Sequence, residues 1–245
     1  MKRIVLIGYG RMGQMIHECL TGDPQLEFAG IAGCEGYQDF LEFPGEVDAA
    51  IDFSWAGGLE GTLKGAIAKN CALVLGTTGY TEADRQKIAE ASARIPIVQS
   101  ANYSIGVAVL KKALAVAAGQ LLGDFDCEII ETHHNQKADA PSGTALALRD
   151  AIDPEKKRES VYGRCGMTGK RGSEIGIHAV RGGTVPGTHE VHFFGQDEEL
   201  EFTHRAQSRK IFAVGAIRAA KAILGKKPGL YTFEQLLFGE DDCER

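Results

Sequence analysis

The first hundred residues alternate short apolar runs with patterns typical of helices. A β-branched run over 3–7 precedes apolar residues that recur at helical spacing between Met12 and Leu20. Apolar strands that are separated by helices are typical of a parallel sheet covered on both faces. We therefore predict an α/β fold with an N-terminal doubly wound parallel sheet. Its further strands are expected over 26–32, 47–53, 71–75 and 95–100, and its further helices over 59–69 and from Thr81 to about residue 94.

After Ser104 the pattern changes to that of a second domain of the α+β class. Three strands follow one another with no long helix between them, which is typical of a mixed or antiparallel sheet. The polar segment 154–172 is expected to form a loop. We place domain boundaries near Ser104 and Lys210, and the pattern alone lets the last helix belong to either domain. The predicted helices are 105–122, 143–151 and 211–224, and the predicted strands are 127–132, 175–180, 189–194 and 200–206.

The segment 8–13 reads Gly-Tyr-Gly-Arg-Met-Gly, a glycine turn between a predicted strand and a predicted helix. That context distinguishes a dinucleotide-binding turn of the Rossmann type from a glycine turn without a ligand. Gly8 permits the tight turn, Gly10 lets a pyrophosphate approach the backbone, and Gly13 lets the helix pack closely. The helix N-terminus offers N–H groups to the phosphates, and Arg11 adds positive charge there.

The acidic residue that binds the ribose is expected about 20 residues after this turn. Glu35 lies slightly late for that role, and it is equally well explained as a solvated loop residue. Gly33 and Cys34 carry no charge, so the choice between NADH and NADPH stays open. Three other predicted strand ends also carry small or polar residues suited to a cofactor cleft: Asp52 with Ser54, the glycine-rich segment 76–79, and the segment 100–104. Taken singly, these residues could equally be caps and turn formers.

Composition excludes several classes of protein. The formal net charge of −6 disfavours a general nucleic-acid binder. The six cysteines include no Cys-x-x-Cys spacing, so we expect reduced thiols and no metal or disulfide framework. No apolar stretch approaches the roughly 20 residues of a membrane span, and the first apolar run is too short for a signal peptide. We therefore expect a cytoplasmic protein that binds no membrane.

The densest chemistry lies in the segment 131–145, which reads Glu-Thr-His-His-Asn-Gln-Lys-Ala-Asp-Ala-Pro-Ser-Gly-Thr-Ala. His133, His134 and Lys137 form a group that can bind carboxylates and deliver a proton near neutral pH. The N–H groups of Gly143 and Thr144, at the start of a predicted helix, can bind an anion. Each residue alone could be a surface loop residue or a cap, but the assembled string is hard to explain as scaffold.

This string resembles the signature of the dihydrodipicolinate reductase family, in which Glu-x-His-His-x-x-Lys is joined to Asp-Ala-Pro-Ser-Gly-Thr-Ala. The resemblance extends to the glycine turn, to 76–79, to 101–104, to 181–189 and to 204–206, and so covers nearly the whole chain. It implies an enzyme that uses NADH or NADPH to reduce 4-hydroxy-tetrahydrodipicolinate, a small dicarboxylate of lysine biosynthesis, through its dehydrated conjugated imine. The short stretch between Ala32 and Val47 departs from the family, as does Gly33 at a position that is often acidic.

By position, the resemblance makes His133 the catalytic acid/base and Lys137 the proton donor. It makes His134 a substrate ligand and lets Gly143 and Thr144 bind a substrate carboxylate. It also implies a dinucleotide-binding domain of residues 1–104 and 211–245, a substrate and oligomerisation domain of residues 105–210, and a homotetramer. The implied cofactor-binding residues are Gly8, Tyr9, Gly10, Arg11, Met12, Gly13, Gly76, Thr77, Thr78, Ser100, Ala101, Asn102 and Tyr103.

Two other functions compete with this one. Another Rossmann-type dehydrogenase, acting on an amino acid or imino acid, would not require the His-His-x-x-Lys string joined to Ser-Gly-Thr. A nucleotide sensor without catalysis would keep the glycine turn but would need no proton donors in a carboxylate pocket. Oxidation of the reduced nicotinamide that depends on a dicarboxylate separates the three.

Overall fold

A computed structural model describes residues 1–33 and 37–239, and the chain divides into two compact units. One unit comprises Met1–Ser104 and the chain from Lys210 onward, and the other comprises Ile105–Arg209. The strands are β1 (Lys2–Ile7), β2 (Leu26–Ala32), β3 (Ala49–Asp52), β4 (Ala72–Leu75), β5 (Pro96–Gln99), β6 (Asp126–His133), β7 (Ser160–Tyr162), β8 (Ile175–Arg181), β9 (Gly187–Phe194), β10 (Glu199–Ala206) and β11 (Gly229–Tyr231). The α-helices are α1 (Arg11–Leu20), α2 (Leu59–Lys69), α3 (Glu82–Ser92), α4 (Ile105–Leu121), α5 (Gly143–Ile152), α6 (Lys210–Ile223) and α7 (Phe233–Phe238).

The first unit is built on a parallel sheet with the strand order β2-β1-β3-β4-β5-β11. The order reverses at β1, which makes the sheet doubly wound and places a ligand cleft at the carboxyl ends of the strands near that point. Ile4, Val5, Leu6 and Ile7 of β1 are all buried, as expected for a central strand covered on both faces. The predicted Rossmann-type α/β fold is confirmed.

The second unit is built on a mixed sheet with the order β10-β9-β6-β8-β7. Its central strand β6 runs antiparallel to β9 and parallel to β8. Burial alternates along β6, so that Cys127, Ile129, Glu131 and His133 all turn to one face. An apolar core joins that face to α4 and α5 through residues such as Leu114 and Leu148. The predicted α+β second domain is confirmed.

Among the described residues, two short strands and one short α-helix were not predicted. The loop expected over 154–172 contains β7, so that prediction is wrong for Ser160–Tyr162. Both β7 and β11 are three-residue edge strands, too short to show an alternating pattern. Helix α7 did carry a signal, because Thr232 and Gln235 form a reciprocal capping box at its start. Within residues 1–33 and 37–239, no helix combines the length and the apolar character needed to cross a bilayer.

Candidate active site

The glycine turn after β1 has the geometry that a dinucleotide requires. Gly8 adopts φ +88°, and a Cβ atom there would lie 2.8 Å from the Cα of Ser54. A Cβ on Gly13 would lie 2.3 Å from the carbonyl oxygen of Gly8, so glycine is needed for α1 to approach the turn. Gly10 is the N-cap of α1 and has no atom within 4 Å of its Cβ position. The turn therefore leaves an open space beside the helix N-terminus that fits a pyrophosphate.

The side chain of Tyr9 is already engaged within the first unit. Its hydroxyl lies 2.7 Å from Nδ1 of His17 on α1, and the His17 ring stacks on Phe28 of β2 with centroids 3.8 Å apart. A nucleotide contact by Tyr9 would therefore come through its backbone. Arg11 is exposed and Met12 is half-buried at the start of the same helix.

Asp52, at the end of β3, organises the neighbouring loops. Its carboxylate is buried, and it accepts hydrogen bonds from the Ser54 backbone N–H at 2.8 Å, the Thr77 hydroxyl at 2.9 Å and the Thr62 hydroxyl at 3.0 Å. Thr77 thus turns its side chain inward, and it can offer a cofactor only its backbone. Thr78, in contrast, is exposed.

The loop after β5 is also internally ordered. The Ser100 hydroxyl donates to the Asn102 carbonyl at 2.8 Å, and the Asn102 side-chain oxygen accepts from the Ser104 N–H at 2.8 Å. Tyr103 is 1% exposed, and its hydroxyl donates to the carbonyls of Leu75 and Val98. If Tyr103 binds the cofactor as predicted, only its backbone is available for the contact. Ala101 is exposed at the tip of the loop.

A cavity of about 410 Å³ lies beside Gly33 at the end of β2, and its wall includes Tyr37, Asp39 and glycines of the loop that follows β3. Its position at the end of β2 is where the adenosine half of a dinucleotide is expected. Cys34 and Glu35, which the sequence offers as cofactor-selecting residues, lie outside the described residues. Their role stays a prediction.

In the second unit, the motif 131–145 begins on β6 and surrounds one buried carboxylate. Strand register places Glu131 opposite His189 of β9, and it places His133 opposite Arg181 of β8. The alternation along β6 turns Glu131 and His133 to the same face, at the carboxyl end of the apolar core. Four polar side chains from three neighbouring strands therefore meet where the core ends.

Glu131 is fully buried and makes four hydrogen bonds. Its Oε2 lies 2.5 Å from Nδ1 of His133 and 2.8 Å from one terminal nitrogen of Arg181. Its Oε1 accepts from the other terminal nitrogen of Arg181 at 2.7 Å and from the Ser142 N–H at 2.9 Å. The same guanidinium donates to the carbonyl of Asp139, which ties the motif loop to β8.

These contacts shift the ionisation of the group. Burial alone would raise the pKa of Glu131, but Arg181, His133 and the Ser142 N–H together hold that pKa below its usual range. Burial lowers the pKa of His133, and the Glu131 carboxylate offsets only part of that effect. Glu131 in turn raises the pKa of Arg181. Near neutral pH the site therefore contains a carboxylate, a guanidinium and a neutral imidazole.

Ser142 and His189 complete the buried part of the site. The Ser142 hydroxyl caps α5 by accepting from the Ala145 N–H at 3.1 Å, and it lies 3.1 Å from Nε2 of His189. The His189 ring meets the edge of the His133 ring at a centroid distance of 5.2 Å. Burial, with the nearby charge of His133, lowers the pKa of His189 to about 4, so its ring is neutral near neutral pH.

The rest of the motif forms the more open side of the site. Lys137 bonds Asp139 at 2.9 Å and lowers the pKa of that carboxyl. Nε2 of His134 accepts from Arg209 at 3.4 Å. Gly143, the first residue of α5, is exposed and has no atom within 4 Å of its Cβ position, and Thr144 follows in the first helical turn. An anionic ligand thus meets hydrogen-bond donors on Lys137, His134 and Arg209, together with the N-terminus of α5.

The structure thus brings the predicted His133, His134, Lys137, Gly143 and Thr144 into one region of the second unit. Four further residues lie in this region although no role was predicted for them: Glu131, Arg181, His189 and Arg209. Period-two alternation along β6 would have paired Glu131 with His133, because strand residues two apart share a face. The other three are distant from the motif in sequence. Pairing of β8 and β9 with β6 brings Arg181 and His189 to the site, and Arg209 is the last residue of the second unit.

Comparison with known proteins identifies the family. The family models named dihydrodipicolinate reductase, N-terminus and C-terminus, match residues 2–103 and 106–237. The 4-hydroxy-tetrahydrodipicolinate reductase of Caldanaerobacter subterraneus is 44% identical, with 97% of this chain and 98% of the relative covered. That of Akkermansia muciniphila is 46% identical, with 93% and 94% covered.

Among solved structures, dipicolinate-bound dihydrodipicolinate reductase from Paenisporosarcina sp. superposes with a TM-score of 0.77 at 22% identity, covering 95% of this chain and 97% of that one. DAP dehydrogenase of C. glutamicum, in complex with DAP, has a TM-score of 0.56 at 15% identity and covers 99% of this chain and 98% of its own, a likeness of fold alone. The sequence matches confirm the resemblance carried by the motif 131–145, and the chain belongs to the dihydrodipicolinate reductase family.

Proposed function

We propose that this chain reduces 4-hydroxy-tetrahydrodipicolinate, through its dehydrated conjugated imine, to tetrahydrodipicolinate in the diaminopimelate route of lysine biosynthesis. NADH or NADPH serves as reductant. The observation that carries the proposal is the buried Glu131–His133–Arg181 group at the end of β6, with Lys137 and the start of α5 in the same motif. Proton-transfer groups beside an anion-binding helix start are what reduction of a dicarboxylate imine requires.

We assign nucleotide binding to the first unit. The glycine turn 8–13 and the N-terminus of α1 receive the pyrophosphate, because only glycines fit at Gly8 and Gly13 and open space lies beside Gly10. The strand-end segments 76–78 and 100–103 supply backbone groups and the exposed side chain of Thr78. A bound reduced nicotinamide supplies the hydride of the reaction.

We assign substrate binding and protonation to the second unit. His134, beside Arg209, and the N–H groups of Gly143 and Thr144 bind carboxylate. Hydride addition at C4 of the conjugated imine moves electrons toward the ring nitrogen and leaves an enamine, and a proton from Lys137 or His133 completes the reduction. Cationic residues in this region reconcile a dicarboxylate substrate with a chain whose formal net charge is −6.

We further propose a cytoplasmic homotetramer. The face of the mixed sheet opposite Glu131 carries the exposed apolar side chains Val180 and Phe194, which a monomer would leave in water. Light scattering on the wild type and on a Phe194→Glu variant tests the assembly, since a charge buried in such an interface should shift the mass toward smaller species.

The decisive experiment is loss of nicotinamide absorbance in a coupled assay that generates hydroxy-tetrahydrodipicolinate, run separately with NADH and NADPH. A His133→Ala/Lys137→Ala double variant should lose turnover, at least ~10²-fold, while it retains nucleotide binding. Binding is followed independently by energy transfer from Trp55, the one tryptophan of the chain, which is exposed in the loop after β3, to bound NADH. Full activity of the double variant would refute the assignment.

The same assay separates the competing functions. A dehydrogenase acting on an amino acid or imino acid would oxidise or reduce its own substrate and ignore hydroxy-tetrahydrodipicolinate. A nucleotide sensor would give the Trp55 binding signal with no turnover of any dicarboxylate.

A further inference from the structure

No step of the proposed reaction was assigned to Glu131 itself, yet it is the most enclosed charged group of the motif, with no exposed surface. We infer that Glu131 is a positioning residue that keeps a proton on Nδ1 of His133, so that every proton His133 gains or loses is exchanged at Nε2. The catalytic consequence of this inference rests on the proposed function. The state of the ring itself does not.

Glu131 accepts every one of its hydrogen bonds. Arg181 and the Ser142 backbone N–H can only donate, and between them they occupy Oε1 twice and Oε2 once. A proton on either oxygen would face a donor instead of an acceptor. Oε2 is therefore an acceptor toward His133 as well, and at 2.5 Å the Nδ1 atom must carry the hydrogen.

The other ring nitrogen, Nε2 of His133, lies beside Gly187, where a Cβ atom would come within 3.0 Å of it. Because position 187 has no side chain, Gly187 leaves space at Nε2. A neutral imidazole with its proton on Nδ1 has its lone pair on Nε2, and a protonated one donates from Nε2. Either way the exchangeable position is the same.

Several charged or titratable groups surround the His133 ring, and each affects its titration. Glu131 lies on its own strand, Lys137 follows on the motif loop, Arg181 comes from β8 and His189 from β9. Burial, Lys137 and Arg181 all lower the pKa of His133, and only Glu131 raises it. His189 is tied to the Ser142 hydroxyl and keeps its ring against the edge of His133. Removing the Glu131 charge should thus lower the pKa of His133 further and release Nδ1 from its acceptor.

The direct test uses the unmodified wild-type protein. Nitrogen-15 labelling of the seven histidines, with the His133 signal identified from its loss in His133→Gln, reports which ring nitrogen is protonated. We expect the Nδ1–H form near neutral pH. A His133 signal of the Nε2–H form would overturn the inference, and this result does not depend on turnover, so a failure of the proposed function is recognised separately in the coupled assay.

The functional test compares Glu131→Gln with Glu128→Gln on the same strand. An amide at 131 can donate toward Nδ1 and favours the wrong tautomer, so kcat should fall at least ~10²-fold while KM and nucleotide binding change less than about 3-fold. The limb of the pH profile that reports His133 should move to lower pH. Glu128→Gln should leave kcat and the profile within about 3-fold of wild type. A Glu131→Gln protein that keeps wild-type kcat, profile and tautomer overturns the proposal, and if that variant fails to fold, the wild-type tautomer still decides.

Discussion

Two carboxylates on β6, Glu128 and Glu131, lie three residues apart on opposite faces of the mixed sheet. Their partners are different residues of the same kinds. Each accepts two hydrogen bonds from one arginine, Arg164 for Glu128 and Arg181 for Glu131. Each also contacts a histidine, His178 at 2.7 Å and His133 at 2.5 Å. In both, burial would raise the pKa of the carboxyl, and the partners hold it below its usual range.

The two groups differ in what the partners do next. Arg164 and Arg171 bind Glu128 and also contact Glu174, so that group fastens the segment 163–174 to the sheet. Glu131 instead contacts Nδ1 of His133, accepts from the Ser142 N–H of the motif and binds Arg181 of β8. That arginine in turn donates to the Asp139 carbonyl of the motif loop. The same kind of ion pair thus stabilises a loop on one face of the sheet and orients a histidine on the other. The two groups also differ in the histidine nitrogen that faces the carboxylate, which is Nε2 in His178 and Nδ1 in His133.

The largest losses of stability are expected at the two carboxylates themselves. Glu131→Ala leaves Arg181 without its counter-charge beside a buried His133, and it should lower the free energy of unfolding by about 3 kcal/mol. Glu128→Ala should cost about 1–2 kcal/mol, because Arg164 and Arg171 keep their contacts with Glu174 and are partly exposed to water. Urea denaturation followed by circular dichroism measures both. Equal losses of unfolding free energy in the two variants would contradict this prediction.

A second prediction concerns pH. His189 has a pKa of about 4 in the fold against 6.5 unfolded, so the unfolded state binds the additional proton and stability falls as pH drops from 6.5 to 4. The loss amounts to at most roughly 3 kcal/mol. His189→Gln should flatten this part of the curve. Below about pH 4.5, protonation of Glu128 and Glu131, whose pKa values are lowered, adds a further loss that the variant keeps. An unchanged slope between pH 6.5 and 4 would contradict the assignment to His189.

Two glycines allow the faces to be perturbed separately. A Cβ on Gly187 would lie 3.0 Å from Nε2 of His133, whereas a Cβ on Gly176 would lie 1.8 Å from Oε2 of Glu128. Gly187→Ala should reduce kcat about 10-fold by displacing the His133 ring, and it should also lower stability because Gly187 has φ +156°. Gly176→Ala should destabilise the fold by about 2 kcal/mol and leave kcat of the folded fraction near wild type. Steady-state kinetics and denaturation curves measure both effects. A loss of kcat in Gly176→Ala with normal kcat in Gly187→Ala would contradict the prediction.

The smallest effect is expected at the cap of α5. Ser142→Ala should cost about 1 kcal/mol through loss of the cap, and it should raise the KM for the dicarboxylate because the first turn of α5 loosens. Thr81→Ala, which removes the cap of α3 in the first unit, is the matched control with a similar stability cost and unchanged KM. A normal KM in Ser142→Ala would argue against carboxylate binding at the start of α5.

The sequence was most informative where the hydrophobic pattern is long. Strands β1 to β5 and the helices between them follow from continuous apolar runs bounded by helical spacing, because burial on both faces leaves such a pattern. Strands β7 and β11 were not predicted, because three residues on a sheet edge show almost no hydrophobic periodicity. Helix α7 was missed although Thr232 and Gln235 form a recognisable start signal.

The candidate site was predicted in part for a similar reason. His133, His134 and Lys137 stand together in sequence, and their chemistry is visible there. Arg181 and His189 reach the site through the register of β8 and β9 with β6, a property of the folded sheet that local sequence does not specify. The inward turn of Thr77 and Tyr103 likewise depends on distant partners, Asp52 for one and the carbonyls of Leu75 and Val98 for the other.

The second unit is inserted between β5 and α6 of the first, and this order has a consequence during synthesis. Helix α6 packs directly on the Tyr103 backbone, where a Cβ on Gly215 would lie 1.6 Å from the Tyr103 carbonyl oxygen. On the ribosome, Tyr103 emerges long before Gly215, with all of Ile105–Arg209 translated between them. The first unit therefore cannot complete the packing of α6 on Tyr103 until the inserted unit has been translated. The mixed-sheet unit, whose elements are contiguous in the chain, is free to fold first, although it begins later.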